Sequence, residues 1–251
     1  MSGHSKWSSI KHKKGAKDAR RGKLFSKLIR EIAVAAKMGG AELDANPRLR
    51  QAVNNARAAN LPQDTVMRAV TKGAGGADGV DYAEVIYEGY GPHNTAVVIE
   101  ALTDNRNRTA SSIRSTFSKY DGNLGASNSV LFMFDHVGTI VIDRSAIDED
   151  TLTDYVLEAG GEDLESGDEG YIVSTRLEAF EPVKSFLESK GLEIKESDLI
   201  WQPQSKVMIG DKAQAERVIN FLEALEDDDD VQKVHTNLDI DQNVLTELAA
   251  G

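Results

Sequence analysis

The sequence predicts a multi-domain α+β protein: an N-terminal helical bundle followed by two ferredoxin-like α+β domains, one inserted in the other. Helical periodicity fills the chain up to GAGGADG at residues 73–79, a glycine-rich stretch typical of a flexible linker. Beyond that linker, short β-rich segments alternate with helical ones. The length of 251 residues allows one large domain or two to three small ones.

Three helices are predicted before the linker. The first helix is predicted over residues 16–37, where apolar side chains fall on one arc and Lys and Arg on the opposite side. We expect the basic side to face outward. A glycine pair ends the pattern. Asn46, followed by Pro47, is a typical N-cap and first position of a second helix. A Leu-Pro pair at 61–62 opens a short third helix. Their short connections predict a small bundle, within a domain of residues 1–79.

The rest of the chain gives the order of strands and helices for two α+β domains. Residues 139–201 contain a complete β-α-β-β-α-β order. The strands and helices before residue 139 do not complete this order, and the missing elements follow residue 203. The simplest topology inserts a domain of residues 136–203 into one formed by 80–135 and 204–251, because two consecutive domains would both be incomplete. Strands are predicted at 82–87, 95–102, 129–134, 139–142, 162–165, 171–175, 193–201, 207–209 and 231–238, and helices at 109–120, 152–159, 179–190 and 213–225.

Charge is segregated along the chain. Residues 1–72 hold sixteen Lys and Arg against five Asp and Glu, whereas the whole chain has 29 basic and 41 acidic residues. A basic head on an acidic body indicates a polyanionic partner, most commonly nucleic acid. Lys and Arg neutralise phosphates without reading the base sequence. The candidate nucleic-acid-binding residues are Lys6, Trp7, Lys11, His12, Lys13, Lys14, Lys17, Arg20, Arg21, Lys23, Lys27, Arg30, Lys37, Arg50 and Arg57.

Three further motifs each allow two interpretations. In TDNRNRT at 103–109, Arg106 and Arg108 at a helix start could bind an anion, or the motif could serve only local turn chemistry. EDDDD at 226–230 is expected to be a solvated turn, since consecutive carboxylates point apart and make a poor metal cage. The acidic residues of 136–203 are either ordinary surface or a functional one, which would keep nucleic acid confined to the basic head or bind a basic protein partner.

Several classes of function lack support in the sequence. The chain has no cysteine, which excludes disulfides, Cys-ligated zinc and thiol nucleophiles. Its five histidines show no paired ligand spacing, and no phosphate-binding P-loop occurs. We therefore predict no metal, no cofactor and no enzymatic activity. No apolar run is long enough to span a bilayer, so a cytoplasmic protein without membrane contact is expected.

Several motifs in one order resemble the YebC/PmpR family almost end to end: GHSKWSSIKHKK, NNARAANLPQDTVMRAVTKGAG, YEGYGP, LTDNRNRT and LEDDDDVQ. The organelle relative of this family is the translational activator of cytochrome c oxidase subunit I. The resemblance implies three domains, one inserted in another, and a DNA-binding transcriptional regulator or a factor acting in translation at the ribosome. The chain departs from the family pattern at positions 93, 94 and 128, where glycine is expected.

The resulting hypothesis is a DNA-binding transcriptional regulator that contacts phosphates through its N-terminal domain. One alternative is a translation factor that binds ribosomal RNA, and another is a protein-interaction scaffold that uses the acidic body. A two-fold dimer would suit duplex half-sites, but no dimerisation stripe is evident, which favours a monomer.

Overall fold

The computed structural model describes residues 17–75, 82–167 and 170–250. These residues form two compact units. The first comprises the described residues of 17–127 together with 213–234, and the second those of 128–212 together with 235–250. The predicted multi-domain α+β class is confirmed.

The helices and strands are numbered here in chain order. The helices are α1 (Lys17–Gly39), α2 (Pro47–Ala58), α3 (Gln63–Ala74), α4 (Arg106–Lys119), α5 (Glu149–Ala159), α6 (Phe180–Ser189), α7 (Lys212–Glu226) and α8 (Gln242–Ala250). The strands are β1 (Ala83–Tyr90), β2 (Ala96–Thr103), β3 (Asn123–Leu124), β4 (Phe134–Ile142), β5 (Asp163–Gly167), β6 (Gly170–Thr175), β7 (Ile194–Pro203), β8 (Val207–Ile209), β9 (Val231–Thr236) and β10 (Leu238–Ile240).

The three helices that begin the first unit are those predicted from periodicity. Asn46 caps α2 as expected, its side-chain oxygen accepting from the Leu49 N–H at 3.0 Å. The Asn46 amide also donates to the carbonyls of Ala35 (2.8 Å) and Gly40 (2.9 Å), so one buried side chain joins the end of α1 to the start of α2. The common core consists of Ile32, Ala35, Ala36, Leu49, Ala52, Val53, Ala56, Leu61, Val66, Ala69 and Val70.

The sheet of the first unit has the strand order β3-β1-β2-β9. Strands β1 and β2 form an antiparallel hairpin with Ala83 opposite Thr103, and β2 is almost entirely buried. The apolar side chains of helix α7 are buried, and among them Phe221 meets Phe117 of α4 edge to face at 5.0 Å. The nested topology predicts that residues 204–240 return to the sheet that contains 95–102, and β9 does so by pairing with β2.

The second unit contains the β-α-β-β-α-β order predicted for residues 139–201. Its antiparallel sheet runs β5-β6-β4-β7, which is the ferredoxin-like order, and α5 and α6 contribute to its core. Gly160 ends α5 with φ of 86°, the left-handed conformation that glycine adopts without strain. Strands β8 and β10 form a separate parallel pair, followed by α8.

Several element predictions are wrong in detail. Residues 129–134 do not form a strand: a 3-10 turn covers Leu131–Met133, and Phe134 begins β4. Strand β8 pairs with β10 and not with β2, and β3 and α8 were not predicted. Residues 73 and 74 of the expected linker belong to α3, while residues 76–79 lie outside the described residues. The exact domain boundaries stay predictions.

The three positions where the family pattern leads us to expect glycine share one backbone conformation. His93, Asn94 and Asn128 have φ of 57°, 58° and 65°, all in the left-handed region. Glycine enters this region without steric cost, and Asn and His enter it more often than other residues do. The local loop shape is therefore kept without glycine, at some cost in backbone strain.

A buried carboxylate, Asp230, joins several elements of the first unit. Its side chain accepts hydrogen bonds from Thr109 (2.6 Å), Thr103 (3.2 Å), Arg108 (3.2 Å) and Arg30 (3.1 Å). These partners come from α4, β2 and α1. Burial would raise the pKa of Asp230, but the hydrogen bonds and the charge of Arg30 outweigh it and hold the pKa below its usual value.

We predict that Asp230→Ala lowers the free energy of unfolding by about 3 kcal/mol, because Arg30 and two threonine hydroxyls lose a buried acceptor. Urea denaturation at pH 7 measures the change. Asp229→Ala is the matched control, since that neighbouring carboxylate is exposed, and it should change stability by less than about 0.5 kcal/mol. Equal effects of the two substitutions would contradict the role of Asp230.

The lowered pKa also predicts a pH dependence. The ionised Asp230 carboxylate should stabilise the fold fully above the unfolded-state pKa of about 3.9. This stabilisation should be lost as the pH falls through the lower folded-state pKa. The stability difference between the parent chain and Asp230→Asn should therefore be constant near neutral pH and shrink below about pH 4. Urea denaturation between pH 7 and pH 2.5 measures it, and a difference independent of pH would refute the prediction.

Candidate nucleic-acid interface

The basic face of α1 lies against the acidic turn that follows α7. Lys23 donates to the Asp227 carbonyl at 3.0 Å, and its Nζ is 3.2 Å from the Asp227 carboxylate. One turn further along α1, Lys27 donates to the Glu226 carbonyl at 2.6 Å. The expectation that this face points outward is therefore wrong for Lys23 and Lys27, which are both half-buried.

Arg30 is the most enclosed cation of this face, with 15% of its side chain exposed. Its Nη1 donates to the carbonyls of Leu102 (3.1 Å) and Asp229 and to the Asp230 carboxylate. Its guanidinium carbon also lies 5.0 Å from the centre of the Tyr82 ring, a distance typical of a cation–π contact. These contacts fix the position of Arg30 inside the first unit.

The attraction between α1 and this turn follows from the chemistry of a helix end. The last carbonyls of α7 have no partners within the helix and carry partial negative charge, which the carboxylates of residues 226–230 increase. Lys23, Lys27 and Arg30 supply both the donors and the positive charge. The expectation of a solvated turn is correct for the exposed Asp227 and Asp229, and it is wrong for the buried Asp230.

The other predicted cations lie mostly at the surface of the bundle. Arg21, Lys37 and Arg57 are exposed, and Arg21 covers the Phe25 ring at 5.2 Å. Arg50 is half-buried and donates to a carbonyl of the α1–α2 loop at 3.0 Å. Lys17 and Arg20 belong to the first turn of α1. The side chains of those two residues lie outside the described part of the chain, as do Lys6, Trp7, Lys11, His12, Lys13 and Lys14.

Three cations of the bundle were not predicted as site residues: Arg48, Arg68 and Lys72. Arg48 bonds Glu31 through Nε (2.7 Å) and Nη2 (3.2 Å) and also pairs with Glu84. Partial burial would lower the pKa of Arg48, but these two carboxylates raise it above its usual value. Arg68 and Lys72 are exposed on α3. All three contribute to the basic excess of residues 1–72, but no periodicity groups them with the other candidates.

The TDNRNRT motif contains a helix cap. Asn105 accepts from the Arg108 N–H at 3.1 Å and so caps α4, while the Arg108 guanidinium bonds Asp104 (2.6 Å) and Asp230 (3.2 Å). This arrangement favours local turn chemistry at Arg108, because its charge is already compensated. Anion binding by Arg106 and Arg108 stays a prediction.

Neither a metal-binding group nor a membrane span is found in the part of the chain that the structure describes. There, no three or more His, Cys, Asp or Glu side chains are grouped so that they could hold a metal ion. No helix in the same ranges is long and apolar enough to cross a bilayer.

Comparison with known proteins relates both parts of the chain to one family. Residues 5–76 match the TACO1/YebC protein N-terminal domain, and residues 82–238 match the TACO1/YebC second and third domain. A probable transcriptional regulatory protein of Desulforapulum autotrophicum is 49% identical over 244 residues, which cover 97% of this chain and 98% of the relative. Another of Persephonella marina is 44% identical over 250 residues, covering 99% of this chain and 100% of the relative.

A solved structure agrees with these sequence matches. The crystal structure of a conserved hypothetical protein from Aquifex aeolicus has a TM-score of 0.82 and 47% identity, covering 93% of this chain and 96% of the other. Matches of this extent span the helical bundle and the α+β elements together. The chain therefore belongs to the TACO1/YebC family.

Proposed function

We propose that this protein is a non-enzymatic, DNA-binding regulator of transcription that acts in the cytoplasm and contacts phosphates through its N-terminal helical domain. The observation that carries the proposal is the charge segregation, with sixteen basic and five acidic residues among the first 72 of a chain whose formal net charge is −12. The names of its relatives, probable transcriptional regulatory proteins, support a role in transcription.

Two groups among the described cations differ in their availability to phosphates. Lys23, Lys27 and the Nη1 of Arg30 already bond the acidic turn, so phosphates would have to compete with that turn for these donors. The second group, the exposed cations, consists of Arg21, Lys37, Arg57, Arg68 and Lys72. We propose that these residues contact phosphates first, because phosphates need not displace the acidic turn to reach them.

We predict that Arg21→Gln with Arg57→Gln weakens binding to unrelated DNA duplexes about equally. The plot of log affinity against log salt should also become shallower by about two, since each neutralised phosphate contributes a slope of about −0.9. Fluorescence anisotropy over a series of salt concentrations measures both quantities. Duplex RNA is assayed in parallel. Tighter binding of RNA than of DNA at every salt concentration would support the ribosomal RNA alternative.

The matched control replaces two arginines of the acidic residues 136–203, Arg144→Gln with Arg176→Gln. It removes the same charge from the second unit and should leave the salt slope unchanged. An unchanged slope in Arg21→Gln with Arg57→Gln would show that these exposed cations are merely solvated. If the double variant loses affinity for one DNA sequence only and keeps the salt slope, the two arginines read bases.

The contact between α1 and the acidic turn generates a further prediction. Glu226→Gln with Asp227→Asn should raise DNA affinity and steepen the salt slope by about one, because Lys23 loses its carboxylate and becomes available to a phosphate. The increase should disappear when Lys23→Ala is added. Glu193→Gln with Glu247→Gln removes equal charge from the second unit as a control. A gain that persists with Lys23→Ala would reflect overall charge and not competition for Lys23.

A further inference from the structure

A cleft in the first unit lies between α1 and α3 and is bordered by Tyr82. Its volume is about 260 Å3, below the roughly 300–1,000 Å3 usual for small-molecule sites. It can therefore hold a single compact group and not an extended cofactor. The lining residues are Ser26, Ile29, Arg30, Ala33, Val34, Lys37, Ala69, Lys72, Gly73 and Tyr82.

The floor of the cleft is apolar and is built from small residues. Val34 and Ala69 are buried, and Ala33 lies beside them. At Gly73 the two helices approach so closely that a Cβ atom would overlap the Ala33 carbonyl oxygen. Small side chains are thus required where α1 and α3 meet, and they leave room for a flat apolar group above them.

The lining carries positive charge and an aromatic ring. Arg30, Lys37 and Lys72 all line the cleft, and among the lining residues that the structure describes there is no carboxylate. Glu84 lies in a neighbouring depression that shares Lys37 and Tyr82 with the cleft, and it pairs with Arg48. The cleft itself therefore suits a ligand with one negative charge centre and one apolar face.

Arg30 gives this cleft a fixed donor. The contacts of its Nη1 and of its planar face hold the guanidinium in one position, while the group has further N–H donors. An ordered guanidinium loses little freedom on binding a phosphate, and Lys37 and Lys72 add positive charge beside it. The Ser26 hydroxyl donates to the Gly22 carbonyl at 3.1 Å, and its oxygen can still accept from a sugar hydroxyl.

We propose that the cleft binds one unstacked nucleotide of a nucleic acid, with the base on the apolar floor beside Tyr82 and the phosphate at Arg30, Lys37 and Lys72. Proteins usually bind unpaired nucleotides by placing an aromatic side chain against the base and cations against the phosphate. The proposal rests on nucleic-acid binding by the N-terminal domain and specifies a site there for a single nucleotide.

The test uses the full chain with nucleoside 5′-monophosphates as probes, measured by calorimetry and by NMR of the amides of α1 and α3. Adenosine 5′-monophosphate should bind at least about tenfold more tightly than adenosine or inorganic phosphate alone, since base and phosphate both contribute. Deoxyadenosine 5′-monophosphate in parallel distinguishes RNA from DNA as the source. Equal binding of inorganic phosphate would overturn the proposal by indicating a simple anion site.

Substitutions locate the site. Ala33→Leu should fill the cleft and lower monophosphate affinity at least about tenfold, whereas Ala58→Leu, an equal change at an exposed position of α2, should have no effect. If Ala33→Leu lowers the melting temperature, Tyr82→Leu is used instead, because it removes the aromatic ring and keeps an apolar side chain. Unchanged monophosphate affinity in a folded variant would overturn the cleft as the site.

The outcomes separate this inference from the proposed function. If monophosphates do not bind while duplex DNA binds with the expected salt slope, the cleft proposal fails and the proposed function stands. If monophosphates bind at the cleft and neither DNA nor RNA binds, the proposed function fails, and with it the assignment of the ligand to a nucleic acid.

Discussion

The first unit depends on the attraction between the cations of α1 and the acidic end of α7. Three side chains spaced by about one helical turn, Lys23, Lys27 and Arg30, meet backbone carbonyls and carboxylates there. Asp230 extends the contact to β2 and α4 through Thr103 and Thr109. Because these groups are partly or fully removed from water, each needs its partner, and the arrangement holds the N-terminal helices and the adjoining sheet in one unit.

This contact changes the meaning of the basic excess in residues 1–72. A positive sum of charges indicates a polyanionic partner, yet the acidic turn at residues 226–230 of the same chain compensates part of that charge. The remaining exposed cations lie on α1, α2 and α3, and two of them, Lys37 and Lys72, line the cleft with Arg30. The acidic turn and the cleft thus share Arg30, whose position is set by the first and used by the second.

The loops at the three positions where glycine is expected show how a left-handed backbone conformation accommodates other residues. The left-handed conformation persists at residues 93, 94 and 128 with His and Asn in place of the expected glycine. Those residues can adopt positive φ at modest cost, so the hairpin between β1 and β2 retains its turn.

The sequence by itself determined the α+β class, the three N-terminal helices, the Asn46 cap and the β-α-β-β-α-β order, because periodicity and capping are local properties. It also located the excess of positive charge. Only the tertiary structure decided that β8 pairs with β10, that α1 presents Lys23, Lys27 and Arg30 to residues 226–230, and that Lys72 reaches the cleft. Those arrangements join segments as many as 204 residues apart, and helical periodicity shows which residues share a face without showing what that face contacts.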